Sequence, residues 1–141
     1  MASHAVRDLA QLLQTLKPVL NPGVQVFARL PLQADLRGLA PLATFREAEG
    51  LTVVVDEAAA AQAGLPVLFR AAWLTLSVHS DLNAVGLTAA VASALAEAGI
   101  SCNVLAAACH DHLFVPVEDG QRALACLQAL QHRSAAAVTA S

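Results

Sequence analysis

Four consecutive residues in the stretch "ACHDHLFVPV", Cys109, His110, Asp111 and His112, carry side chains able to bind a metal or move a proton. A metal needs side chains that converge on one point. Neighbours along a strand point to opposite faces, so at most His110 and His112 share one. A third ligand would have to come from His4, His79 or His132, and no HExxH or paired-cysteine pattern asks for it. Metal-dependent hydrolysis by His110 and His112 therefore ranks last among the readings considered, behind histidines that make ordinary hydrogen bonds at a turn or strand end.

Ser77, His79, Ser80 and Asp81 contain the residue types of a hydrolytic triad. A nucleophile, a base and an orienting acid must meet from separate elements, which sequence neighbours cannot do, and there is no G-x-S-x-G elbow. Cys109 with His110 fails for the same reason. The junction "HSDLNAVGLTAAV" offers different chemistry. A strand that turns through polar residues and a glycine into a helix presents unpaired backbone N–H groups, which suit a carboxylate or another small anion. Ser80, Asp81 or Asn83 can cap the helix, and Gly86 lets a ligand or another backbone approach. A plain N-cap with a packing glycine fits the same residues equally well.

These residues must be positioned by the elements around them. Val6, Leu9, Leu13 and Leu16 form one stripe of a first helix over about 5–16, ahead of Pro18. "VQVFARL" alternates as a strand, and residues 31–43, with Pro31, Gly38 and Pro41, read as a loop. "LTVVV" is a strand, after which Asp56 caps a short helix that stops at Gly64. "WLTLSVH" is a strand with Leu74, Leu76 and Val78 on one face. Leu87, Val91, Ala94, Leu95 and Ala98 then form the contact face of a helix ending at Gly99. "ISCNVLAAAC" and "HLFVPV" read as a hairpin turning around Asp111, "EDGQRALACLQAL" as the last helix, and 132–141 as a disordered tail without apolar period.

Helix, strand, strand, helix thus occurs twice. With "WLTLSVH" as its opening strand the second half spells βαββα, one strand short of the split βαββαβ unit, while the first half lacks an opening strand. The halves are expected to complete one another, or to be completed by a second subunit. The chain has 141 residues, of which 57% are hydrophobic and 13% charged, with a net charge of -3. It can bury a core, and it has no basic surface for nucleic acid. No apolar run reaches membrane-spanning length and no secretion signal is evident, so a cytoplasmic protein without a membrane partner is expected. Three cysteines, Cys102, Cys109 and Cys126, without a CxxC pair read as reduced apolar fillers.

"NAVGLTAAVASALAEAGI" is similar to the D/N-x-x-G loop and aliphatic helix of ACT domains, with Asn83 at the Asp/Asn position and Gly86 at the glycine. With "TFREAEGLTVVV", "AGISCNV" and "HDHLFVPV", the stretch from about Leu9 to Leu130 resembles small stand-alone bacterial ACT proteins. The resemblance implies an α+β, ferredoxin-like (ACT-like) fold: an antiparallel sheet with helices on one face, in two incomplete tandem halves at 5–70 and 71–131. It implies a non-enzymatic regulatory or sensor protein without a cofactor, forming a homodimer. Asn83 would take the amino group of an amino-acid ligand, and the backbone around Val85, Gly86 and Leu87 its carboxylate. Ile100, Ser101 and Asn103, on a facing strand, would complete the site. Many ACT modules serve mainly to dimerise, so an interaction module without a ligand stands as the second reading.

Overall fold

The computed structural model describes residues 8–140. Along the chain run α1 (Leu9–Gln14), β1 (Pro18–Leu20), β2 (Gln25–Leu30), β3 (Ala43–Glu47), β4 (Gly50–Asp56), α2 (Glu57–Ala63), β5 (Phe69–Leu76), α3 (Leu87–Glu97), β6 (Asn103–Ala106), β7 (Asp111–Pro116) and, after a 3-10 turn at Val117–Asp119, α4 (Gly120–Ala140). They form two compact units, one of Pro22–Ala72 and one joining residues 8–21 to residues 73–140.

In the Pro22–Ala72 unit the antiparallel strand order is β3-β4-β2-β5. The opening strand is β2, "QVFARL", so the expectation that this half lacks its first strand is corrected: it lacks its first helix. Residues 31–42 stand in for that helix as a run of turns, because Pro31, Gly38 and Pro41 break helical periodicity. Leu39 drops from this loop into the core, which it shares with Val26, Ala28, Leu51, Val53, Val55 and Ala60, and Leu36 packs half-buried against it. The β3–β4 hairpin turns through Ala48 and Glu49 into Gly50, where, at a φ of 151°, a Cβ would stand 2.6 Å from the Leu30 carbonyl oxygen. At the far end, Gly64 in the left-handed region ends α2 by giving its N–H to the last carbonyls of the helix.

The other unit takes its opening strand from the second half of β5, with β7 beside it and β6 outside β7. Its missing strand comes from the same chain. β1, at residues 18–20, pairs antiparallel with Leu74–Leu76. In both units the first strand lies between the third and the fourth, which is the order of a split βαββαβ module.

Strand parity builds the core of this unit. Leu74 and Leu76 of β5 and Leu113 and Val115 of β7 are essentially fully buried. So are Leu12 of α1, Val91 and Leu95 of α3, and Ala123 and Leu127 of α4. Burying each Leu or Val of that set stabilises the fold by about 1.5–3 kcal/mol. The first helix begins at Leu9, where the Asp8 carboxylate accepts from the Gln11 N–H at 3.1 Å; residues 5–7 of the expected helix and His4 lie outside the described residues. β5 ends three residues earlier than expected, since the Ser77 and Val78 N–H groups leave the ladder for the carbonyls of Lys17 and Leu16.

Two further expectations are corrected. The β6–β7 turn falls at residues 107–110, closed by the Ala107 N–H on the His110 carbonyl, so Asp111 and His112 belong to the strand and not to the turn. The segment from 132 onward continues α4 to Ala140. Its alanines are strong helix formers even without an apolar stripe, and Gln131, at the start of that extension, holds the Gln14 carbonyl and the Lys17 N–H at 2.9 Å each.

Candidate functional site

The polar junction after β5 and the start of β7 meet at one end of α3. Ser80, Asp81, Leu82, Ala84, Leu87, Thr88, Ala106 and Asp111 line a small cavity there of about 50 Å³. Asp111 is in it because of parity. In β7 it shares a face with Leu113 and Val115, the helix-covered face, and is only 7% exposed. Among the described residues its carboxyl takes no hydrogen bond and no ion pair. Burial pushes its pKa up, and the nearby His112 and His110 pull against that.

Opposite Asp111, α3 starts without a side-chain cap. Gly86 holds the N-cap position at φ 99°, a left-handed conformation that suits glycine, and the first helical bond runs from the Ala90 N–H to the Gly86 carbonyl. The N–H groups of Leu87, Thr88 and Ala89 enter no backbone bond among the described residues. The loop itself is tied by Asp81, whose side chain accepts from the Asn83 N–H at 2.7 Å and whose carbonyl accepts from the Ala84 N–H at 2.9 Å. Asp81, not Asn83, is thus the residue that shapes the turn.

Of the expected ligand residues, only Leu87 borders the cavity, and its side chain is buried in the core at 3% exposure. Asn83 lies exposed on the loop and Val85 is 83% exposed. Ile100, Ser101 and Asn103 lie beyond the far end of α3, and an eleven-residue helix spans about 16 Å. One unit therefore does not bring the two groups of residues together. In the sequence Asp111 reads only as a metal candidate and Ser80 as a helix cap, and Thr88 carries no signal. The signal for Asp111 was available: a carboxylate in strand register with Leu113 and Val115.

The histidines have other work. The Trp73 indole N–H, a donor only, lies 3.1 Å from His112 Nδ1, which must therefore accept; the imidazole is neutral, with its proton on Nε2. Thr75 Oγ1 is also 3.1 Å from that nitrogen and accepts from Asn21 Nδ2 at 2.9 Å. Burial, with His110 nearby, lowers the His112 pKa. His110 Nδ1 lies 3.3 Å from the Val78 carbonyl, with its ring edge-on to His79. Ser80 Oγ donates to the Asp81 carbonyl, so no serine–histidine relay forms there. Among the described residues no three His, Cys, Asp or Glu side chains are grouped to hold a metal. The three cysteines are free, and burial pushes the Cys102 thiol up to about 11, which makes it a poor nucleophile at neutral pH.

Two units of this strand order, each with a strand-to-loop junction, describe tandem ACT modules, and comparison with known proteins agrees. ACT domain family models match residues 4–72 and residues 68–129. The chain belongs to the ACT domain family, whose modules are regulatory. Among solved structures it is similar to a Vibrio cholerae protein described as of unknown function and a possible transport protein. That likeness has 48% identity over 87% of this chain and 95% of the other, with a TM-score of 0.80. An Agrobacterium tumefaciens protein shares the fold at 21% identity, 77% and 84% coverage and a TM-score of 0.61. So does the ligand-free regulatory subunit of aspartate kinase from Thermus thermophilus, at 13% identity, 82% and 97% coverage and a TM-score of 0.61. No curated protein matches. No helix among the described residues is long and apolar enough to cross a membrane.

Proposed function

We propose that this protein is a cytoplasmic regulator or sensor that binds a free amino acid at the junction between β5 and α3 and carries out no reaction on it. The observation that carries the reading is the pairing of opposites at one small cavity. Asp111, a residue only 7% exposed whose carboxyl has no partner among the described residues, lines the same cavity as the uncapped start of α3. The first suits an ammonium group and the second a carboxylate, the two ends of a zwitterion. Val85 and Gly86 contribute backbone on the loop side, and Asn83 is placed to close over the ligand. Ile100, Ser101 and Asn103 would come from a second copy, since the length of α3 separates them from the loop within one chain. Leu82 at 66% exposure and Val85 at 83% sit beside the cavity as apolar surface for that second copy to cover.

The test is a thermal-shift screen of the standard amino acids at millimolar concentration, on wild type and on Asp111→Asn. At least one amino acid is expected to raise the wild-type melting temperature, and Asp111→Asn to abolish that rise while remaining folded. No stabilisation by any of them would end the ligand reading. It would favour an interaction module, to which the exposed outer strand β6, with Leu105 at 40% exposure, gives independent support. A monomer by light scattering at micromolar concentration would count against both the dimer and that module.

A further inference from the structure

The Pro22–Ala72 unit has a cavity of its own, about 490 Å³, lined by Leu32, Gln33, Ala34, Leu36, Thr44, Arg46 and Leu51. Its size is that of a small-molecule site. It exists because a loop replaces a helix. Leu39 reaches the core, but over β3 the loop leaves the sheet uncovered, and four of the five β3 residues are exposed.

The register shows which of them face the cavity. Thr44 pairs with Val53 and Arg46 with Leu51, and both partners are core residues, so Thr44 and Arg46 lie on the core side of the sheet; Phe45, 70% exposed, lies on the other. An arginine on the inner face of an outer strand can serve simply to discourage edge pairing. Arg37, Arg70 and Arg122, however, are each paired with a carboxylate, to Asp35, Glu57 and Asp119. Arg46, like Arg29 and Arg133, has no hydrogen bond or ion pair among the described residues, but it alone of the three borders this cavity, with Leu32, Leu36 and Leu51 as apolar wall beside Gln33, Ala34 and Thr44.

We propose that this groove is a second ligand site, for a small monocarboxylate with an aliphatic tail. The carboxylate would sit on the Arg46 guanidinium within reach of the Thr44 hydroxyl, and the tail against Leu32, Leu36 and Leu51. One unpaired cation matches one negative charge, and a forked guanidinium matches a carboxylate. The leucines disfavour a bare inorganic anion. The site is independent of the Asp111 cavity, and nothing in it supplies a counter-charge for an ammonium group, so the deaminated acid fits better than the amino acid.

The test is titration of the full chain, followed by amide NMR shifts, with 4-methylpentanoate, its uncharged amide, leucine and inorganic phosphate. Saturable shifts at Gln33, Ala34, Thr44 and Arg46 are expected with 4-methylpentanoate. Binding should weaken by about tenfold or more for the amide, for phosphate and in Arg46→Gln. Asp111→Asn should leave it unchanged, which keeps this outcome separate from that of the amino-acid screen. Arg46 is exposed, so the variant is expected to fold, and unchanged α3 resonances would verify that. The proposal is overturned if 4-methylpentanoate gives no saturable shift at millimolar concentration, if Arg46→Gln binds it as well as wild type, or if phosphate binds as tightly.

Discussion

The two units answer the same topological problem differently just after their opening strands. After β5 the chain turns through Gly86 into the eleven-residue helix α3, which buries Leu87, Val91 and Leu95. After β2 it spends residues 31–42 on turns and buries Leu39. The helix covers its sheet closely and leaves about 50 Å³ at its start, where its own N–H groups are; the loop leaves about 490 Å³ over the sheet itself. A helix therefore concentrates polarity at its end, whereas a loop exposes what the strand beside it carries. That is why the two candidate sites differ in charge, a carboxyl at Asp111 in one and a guanidinium at Arg46 in the other.

The sharpest way to break this comparison is to remove one anchor from each covering segment. Leu95→Ala, at a fully buried helix position, is expected to cost about 3–4 kcal/mol, and Leu39→Ala in the loop about 2 kcal/mol, because the loop can settle into the space while the helix cannot. Denaturant unfolding of both variants measures the difference. Equal costs would mean that the loop is packed as rigidly as a helix.

The next effect concerns the turns. A Cβ at Gly86 would stand 3.0 Å from Leu9 Cδ2 in a left-handed conformation, whereas one at Gly38, also left-handed, meets nothing within 4 Å. Gly86→Ala is expected to cost about 2 kcal/mol and Gly38→Ala about 1 kcal/mol. In a Leu9→Ala background the Gly86→Ala cost should fall to the Gly38→Ala level. If it does not, the helix start is not fixed by α1.

The third effect depends on pH. The His112 pKa is lowered in the fold, so its neutral form is favoured, and the stability it contributes is complete above the ordinary imidazole value of about 6.5 and is lost as pH falls below it. Asp111 works in the opposite sense: its raised pKa makes the folded state less stable once pH has risen through it, so Asp111→Asn should stabilise the unliganded protein at neutral pH and lose that advantage in acid. Trp73 is the chain's one tryptophan and donates to His112, so its fluorescence isolates the imidazole. A transition below the ordinary imidazole range is expected in wild type and none in His112→Phe. A transition that survives His112→Phe would mean that Trp73 does not report on this imidazole.

Much of the fold was legible in the sequence because it rests on local patterns. The alternation of Leu74 and Leu76, the stripe of Leu87, Val91 and Leu95, and the stop at Gly64 all stand where their spacing put them. Pairing was less legible. Pro18–Leu20 is too short to announce itself as a strand, and nothing local says that it completes a sheet begun at residue 74. The site divided in the same way. The loop before α3 carries a readable glycine and polar run, but whether Asp111 stands in the turn or in the strand depends on where the hairpin closes, and it closes at 107–110. Arg46 is not legible locally, because its meaning depends on register with Leu51 and on what the loop fails to cover.

The smallest effect returns to the loop that replaces a helix. Ala40 sits at φ 43°, directly after the left-handed Gly38 and the buried Leu39, and is exposed. An L side chain in that region costs about 1 kcal/mol through contact of its Cβ with the backbone, and an exposed position offers no packing in return. Ala40→Gly removes that contact but frees the unfolded chain, which offsets part of the gain. A net stabilisation of about 0.5 kcal/mol is expected, read as a small rise in denaturant midpoint without change of slope. A loss of stability instead would mean that Ala40 does not hold its left-handed turn in solution. Leu39 would then be delivered to the core by a different path, and the groove beside Arg46 would have a different roof.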